Sequence, residues 1–274
     1  MVDLGHGYPI VLVPGIQGRW EWMQPVVEAL AARTRVITYT LCGDRGSECR
    51  LDKEKGFENY MAQLDAVYER AGLEAAALCG VSYGGLIAVH YAARHPERVS
   101  ALVLASALGP RWRLEKRLMK YVRAPRRLAP LFALRSLRVV RREVAEALPG
   151  SRDRWAFRRR HFLRILRAPL SPVRMAERVR FALAEDLTGD CDQVKAPTLV
   201  ITGEPHLDQV VPVESTREYI DCIPGAKYVV IERTGHLGVI TRPDRFAEIV
   251  CEFTEGSGLQ AQGSSRRTTN DQRP

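Results

Sequence analysis

Gly80-Val81-Ser82-Tyr83-Gly84-Gly85 sets one serine inside a G-x-S-x-G pentapeptide. The run Ala75-Ala76-Ala77-Leu78-Cys79 precedes it, and helical patterning over 84–94 follows, ended near Pro96. Composition alone leaves 75–79 open between strand and helix, but its position before a glycine-rich turn favours a strand. A chain that passes from strand to helix in so few residues must turn sharply, and the neighbours of the turning residue must be small. Such a turn pushes Ser82 outward at the sheet's carboxyl edge, beside a helix N-terminus that favours developing negative charge. Ser82 is therefore the candidate nucleophile. The plainer alternative, a Gly/Ser turn without chemistry, is disfavoured by the strand before and the helix after.

Outward from this turn, strand and helix patterns alternate. Residues 9–13 form a short apolar run stopped by Pro14-Gly15, and 20–32 repeat Trp22, Val26, Val27 and Leu30 at helical spacing. Residues 35–40 are β-branched, 57–71 are helical, and Val99–Ala105 is a buried strand. Thr198–Ile201 and Tyr228–Ile231 are further strands, each followed by a helix, at 213–222 and 243–254. This alternation predicts an α/β chain with a mostly parallel sheet and helices on both faces. Residues 1–109 and 189–254 would make that core.

Residues 110–188 break the rhythm. They offer no strand but several amphipathic helices, one with Leu114, Leu118, Tyr121 and Val122 on a face, another with Trp155, Phe162, Leu163 and Leu166. They are expected to form a helical lid whose apolar faces turn toward the site and whose arginines turn to water. Charge marks the same stretch: residues 110–180 hold 22 Lys/Arg against 5 Asp/Glu, whereas the rest holds 19 against 27. The formal net charge of +9 thus comes wholly from the insert. A solvated lid face is the first reading of this charge and weak contact with an anionic membrane surface the second. Nucleic acid is not expected as a partner, because no binding motif accompanies the arginines. Residues 255–274, rich in Gly, Ser, Gln and Arg, are expected to be a disordered tail.

Three more segments complete a pattern. Thr234-Gly235-His236-Leu237-Gly238 follows the last predicted strand. Gly203 to Pro212, containing Asp208 and Val211-Pro212, follows the strand at 198–201. Pro14-Gly15-Ile16-Gln17-Gly18 follows the first strand. With the serine turn, these resemble the α/β-hydrolase superfamily over roughly residues 8–254. The resemblance implies a Ser-Asp-His order of Ser82, Asp208 and His236. A serine hydroxyl is a weak nucleophile, so His236 would accept its proton, and Asp208 would hold the ring's tautomer and stabilise the imidazolium. Backbone N–H groups of Ile16 and Tyr83 would form the oxyanion hole. Two departures stand out. Pro14 replaces the family's usual histidine before the loop glycine, and the loop from Gly203 to Asp208 is longer than the common spacing, which leaves Glu204 as a second candidate acid. His206, in the same loop, is a rival base.

The implied activity is that of a serine esterase or related acyl hydrolase acting on a small-molecule acyl substrate. Carbon–carbon bond hydrolases, thioesterases, perhydrolases and acyltransferases share the three residues, and a non-catalytic receptor of the same fold needs only the pocket. No cofactor is implied. The six cysteines, Cys42, Cys49, Cys79, Cys191, Cys222 and Cys251, are scattered without a C-x-x-C pair, so neither a zinc site nor a redox motif is predicted. With no secretory pattern at residues 1–7 and no apolar run long enough to span a bilayer, reduced thiols in a cytoplasm are expected, although Cys42 and Cys49 lie close enough in sequence to pair.

Overall fold

The computed structural model describes residues 1–256, so the predicted tail from 257 onward lies outside the described residues. A seven-stranded sheet forms the centre. Its strands are β1 (Val2–Leu4), β2 (Pro9–Val13), β3 (Arg35–Thr38), β4 (Ala76–Val81), β5 (Val99–Ala105), β6 (Thr198–Thr202) and β7 (Lys227–Val230). Their spatial order is β1-β3-β2-β4-β5-β6-β7. Only β1 runs antiparallel, against β3; three residues with two of them exposed gave its strand character no sequence signal.

The strands are apolar on both sides because both faces are covered. Ile10 and Leu12 point to one layer and Val11 and Val13 to the other. The first layer is made with α1 (Gln24–Ala31) and α10 (Pro243–Gly256), through Val26, Leu30, Phe246 and Val250. The second is made with α2 (Glu58–Arg70), α3 (Tyr83–Arg94) and α8 (Val213–Cys222), through Leu64, Ile87 and Tyr219. A single helical turn, Trp20–Met23, precedes α1, and a short α9 (Gly238–Thr241) precedes α10. Every residue of β4 is buried, which explains how an alanine-rich segment holds the middle of the sheet. Its small side chains let helices approach closely on each side.

Between β5 and β6 lie four α-helices, a single 3-10 turn (Cys191–Gln193) and no strand: α4 (Met119–Arg123), α5 (Pro125–Ala147), α6 (Ser151–Arg167) and α7 (Pro172–Ala184). Leu114 and Leu118 precede α4 instead of lying on it. A larger difference concerns α6. Its apolar face does not turn inward: Trp155 is 66% exposed, with Phe162, Leu163 and Leu166 exposed beside it. The helix attaches by its opposite side. His161 stacks on Phe157 and meets Trp22 edge-on, Arg164 donates to Gln24, and the carbonyl of Ala168 accepts from the Trp22 indole. Helical periodicity identifies which side chains share a face but not which face is held.

The thiol expectation also needs correction. Cys42 and Cys49 form a disulfide, with Cα atoms 4.8 Å apart, across the loop after β3. Cys79, Cys191, Cys222 and Cys251 are free. Cys42 is buried against Asn59 and Gln63, where the fold itself brings the two sulfurs together. Among the described residues no helix is long and apolar enough to cross a membrane.

Candidate active site

Ser82 stands between β4 and α3 with φ 54° and ψ −118°, a conformation a non-glycine residue adopts only where its surroundings impose it. Its N–H donates to Ala105 at 2.9 Å, and its carbonyl accepts from Gly85 at 2.9 Å. Glycine is required on both sides: a Cβ on Gly80 would collide with the carbonyl of Gly84, and one on Gly84 with the carbonyl of Val13. The turn is thus held by close backbone packing, and it aims Oγ into a cavity at the carboxyl edge of the sheet.

Two other loops reach the same point. His236, in the loop between β7 and α9, has Nε2 3.1 Å from Ser82 Oγ. Its Nδ1 is 3.3 Å from Asp208 Oδ2, after β6. Asp208 is itself fixed, because its Oδ1 accepts from the N–H groups of Val210 at 3.0 Å and Val211 at 2.9 Å. Ser82 and Asp208 are buried and His236 nearly so. Burial works to lower the imidazole pKa, but the Asp208 carboxylate, its hydrogen bond and the Glu143 carboxylate outweigh it, so the pKa is raised above its ordinary 6.5.

Glu204 lies elsewhere. Its Oε1 accepts from the Arg233 N–H at 2.6 Å, and its own N–H donates to Thr234 at 2.7 Å, tying the acid loop to the histidine loop. His206 is exposed and 3.4 Å from Glu204, with no contact to Ser82. The long loop from Gly203 therefore uses its first acid as a brace and presents its second to His236.

Tyr83 is the first residue of α3, directly after Ser82, and Ile16 lines the cavity beside it. The cavity measures about 330 Å³ and is mostly apolar. Its walls come largely from the insert: Trp112, Leu118, Tyr121, Phe132, Met175 and Val179. Leu114 and Val122 face it too, so the first predicted apolar cluster does reach the cavity even though half of it is not helical.

Two residues with no functional signal in the sequence bind the insert to this framework. Arg178, on α7, is 1% exposed and pairs with buried Asp44. Its Nη1 donates to the Ile16 carbonyl at 2.9 Å, and its own carbonyl accepts from the Tyr83 hydroxyl at 3.0 Å. Glu143, on α5, is also 1% exposed. One oxygen, Oε1, accepts from the N–H groups of Gly235 at 2.8 Å and Leu237 at 2.6 Å, the two residues flanking His236. Burial pushes the Glu143 carboxyl up to about 7, against the opposing pull of those two N–H groups and of His236. In an arginine-rich amphipathic segment both residues read as parts of a solvated face.

Comparison with known proteins agrees with this architecture. A model of the family described as alpha/beta hydrolase fold matches residues 8–243. A 2-hydroxymuconate semialdehyde hydrolase of Pseudomonas sp. (strain CF600) is 29% identical over 265 residues, covering 92% of this chain and 88% of that protein. A pimeloyl-[acyl-carrier protein] methyl ester esterase of Aliivibrio salmonicida (strain LFI1238) is 28% identical over 253 residues, covering 92% and 94%. The solved structure of an esterase from Exiguobacterium antarcticum superposes with a TM-score of 0.78 over 93% of this chain and 94% of that one; at 20% identity it bears on fold alone. With a sheet of this order and a family match over most of its length, the chain belongs to the alpha/beta hydrolase fold family.

Proposed function

We propose that this protein is a serine hydrolase that cleaves a carboxylic ester or related acyl bond through an acyl-enzyme intermediate. One observation carries the reading: Ser82, His236 and Asp208 form a single line of hydrogen-bonding distances that opens on an apolar cavity. Ser82 Oγ attacks the acyl carbon as His236 Nε2 takes its proton. The negative charge on the former carbonyl oxygen is received by the N–H groups of Ile16 and Tyr83, and removing one such donor typically costs about 10²–10³ in rate. Asp208 holds the imidazolium. The C–O bond then breaks, the alcohol leaves with the proton from His236, and the acyl group stays on Ser82. Water, deprotonated by His236, repeats the addition and releases the acid. Helices α4 to α7 act as the lid, since an apolar cover gives the oxyanion donors a low dielectric.

The relative named as a 2-hydroxymuconate semialdehyde hydrolase favours a substrate of that class as the second reading. The same three residues serve a scissile carbon–carbon bond next to a carbonyl. Labelling with a fluorophosphonate, followed by turnover of p-nitrophenyl esters of increasing chain length, tests the proposal. Labelling should vanish in Ser82→Ala; labelling that persists in that variant overturns the assignment. A labelled enzyme that turns over no ester shifts the balance to the second reading.

A further inference from the structure

The α6 side chains expected to face the site, Trp155, Phe162, Leu163 and Leu166, are instead exposed. Among the described residues ten large hydrophobic side chains are exposed, and seven belong to α5 and α6. On α5, Leu131, Leu134 and Leu137 follow one another at three-residue steps. On α6, Trp155, Phe162 and Leu166 share one face with Arg159, whose guanidinium lies 5.4 Å from the Trp155 ring centre. The two helices together carry 13 arginines against three acidic residues. One of those acids, Glu143, is turned inward onto the histidine loop. Each helix therefore presents an apolar ridge set among cations.

We propose that the outer faces of α5 and α6 dock this protein on an anionic lipid surface. Both chemistries are met there at once: arginines reach lipid phosphates while Trp, Phe and Leu enter the boundary beneath them. A second copy of the same face would bring like charges together, and a nucleic acid would pair the arginines but leave the apolar ridges in water. Docking requires neither Ser82 nor His236. On α5, exposed Leu131 is followed by Phe132, which lines the cavity wall.

The test is flotation of the full chain with vesicles of phosphatidylcholine, with and without roughly a third of phosphatidylglycerol, at about 0.05 M and about 0.5 M salt. The protein should float with the anionic vesicles only, and high salt should weaken partition at least about tenfold. Arg138→Gln and Arg141→Gln should each weaken it by about fivefold. Phe162→Ser with Leu166→Ser should weaken it about tenfold or more, with an unchanged melting temperature. Absence of flotation with anionic vesicles at low salt overturns the proposal. So does binding that the Phe162→Ser, Leu166→Ser variant keeps in full, since that is a charge-only encounter which an acidic protein or a nucleic acid offers equally.

Discussion

Substituting Glu143 by glutamine and by alanine separates its charge from its hydrogen bonds. Glutamine keeps an oxygen for the Gly235 and Leu237 N–H groups; alanine removes it. Unpaired buried donors cost about 1–3 kcal/mol each, and the vacated volume adds to that, so Glu143→Ala should lose ~3–5 kcal/mol of stability. The charge acts in the other direction. Glu143 has its pKa raised to about 7 in the folded protein, above an unfolded reference of about 4.3. A raised acid contributes stability that is fully present below the unfolded value and is lost as pH climbs through the folded one. By pH 8 the buried carboxylate costs on the order of 3 kcal/mol relative to its acid form. Glu143→Gln escapes that cost, so urea denaturation should show the glutamine variant gaining on the parent from pH 5 to about pH 7 and levelling off by pH 8. The same substitution removes one of the charges that raise the His236 pKa, so the rising limb of the rate profile should move to lower pH. A stability difference that stays flat over this range, with an unmoved limb, refutes the charge argument. An alanine variant as stable and as active as the parent refutes the hold of Glu143 on the Gly235 and Leu237 N–H groups.

Asp208→Asn should fold normally and lower kcat by up to about 10⁴, as expected when the wrong imidazole tautomer is held, while Glu204→Gln should act mainly on stability; the reverse pattern in steady-state kinetics makes Glu204 the acid. In the parent, the half-maximal rate should fall above 6.5, because His236 must be neutral to accept a proton and its pKa is raised; a rate flat from pH 5 to 8, with chemistry limiting, contradicts this. Arg178→Met should cost about 3–5 kcal/mol by leaving Asp44 buried without its partner and should lower kcat through the loosened Ile16 loop. Adding Asp44→Asn should restore part of the stability, read by urea denaturation, but not the rate. Recovery of both would make Arg178 a packing residue only.

Most of the parallel sheet was legible because its strands are continuous apolar runs, buried on both faces, and its helices repeat at 3.6 residues. The serine turn was legible because a tight strand-to-helix passage tolerates only glycine where Gly80 and Gly84 stand. The histidine and acid loops could be placed because each follows a recognisable strand. Other features left no such mark. β1 is too short to alternate, and the Cys42–Cys49 pairing depends on a loop path rather than on spacing. The orientation of α6 is set by what Phe157 and His161 touch across the chain, a tertiary fact absent from its own pattern. Arg178 and Glu143 are individual members of a crowded charged segment, and their burial follows from where α5 and α7 land.

The placement of those two residues limits how the insert can move. Lifting α7 away from the sheet would part Arg178 from Asp44 and release Ile16 and Tyr83 together. Breaking a buried pair of this kind costs about 3–5 kcal/mol. Lifting the carboxyl end of α5 would strip Glu143 from the histidine loop and Arg233 from the carbonyl of Glu146. Such motions would also dismantle the arrangement around Ser82. Among the described residues no buried ion pair holds α6, which meets the core through His161, Arg164 and Ala168, or the amino-terminal half of α5, where Pro125 and Phe132 line the cavity. The carboxyl end of α5 and α7 are therefore the parts of the insert tied by buried charges to the loops around Ser82, while α4 packs on α7 through Val122, Ala176 and Val179. The start of α5 and α6 carry Leu131, Leu134, Trp155 and Phe162 on the outside. A partner on that outer face therefore meets the parts of the insert that have no buried charge against the loops of Ser82, Asp208 and His236.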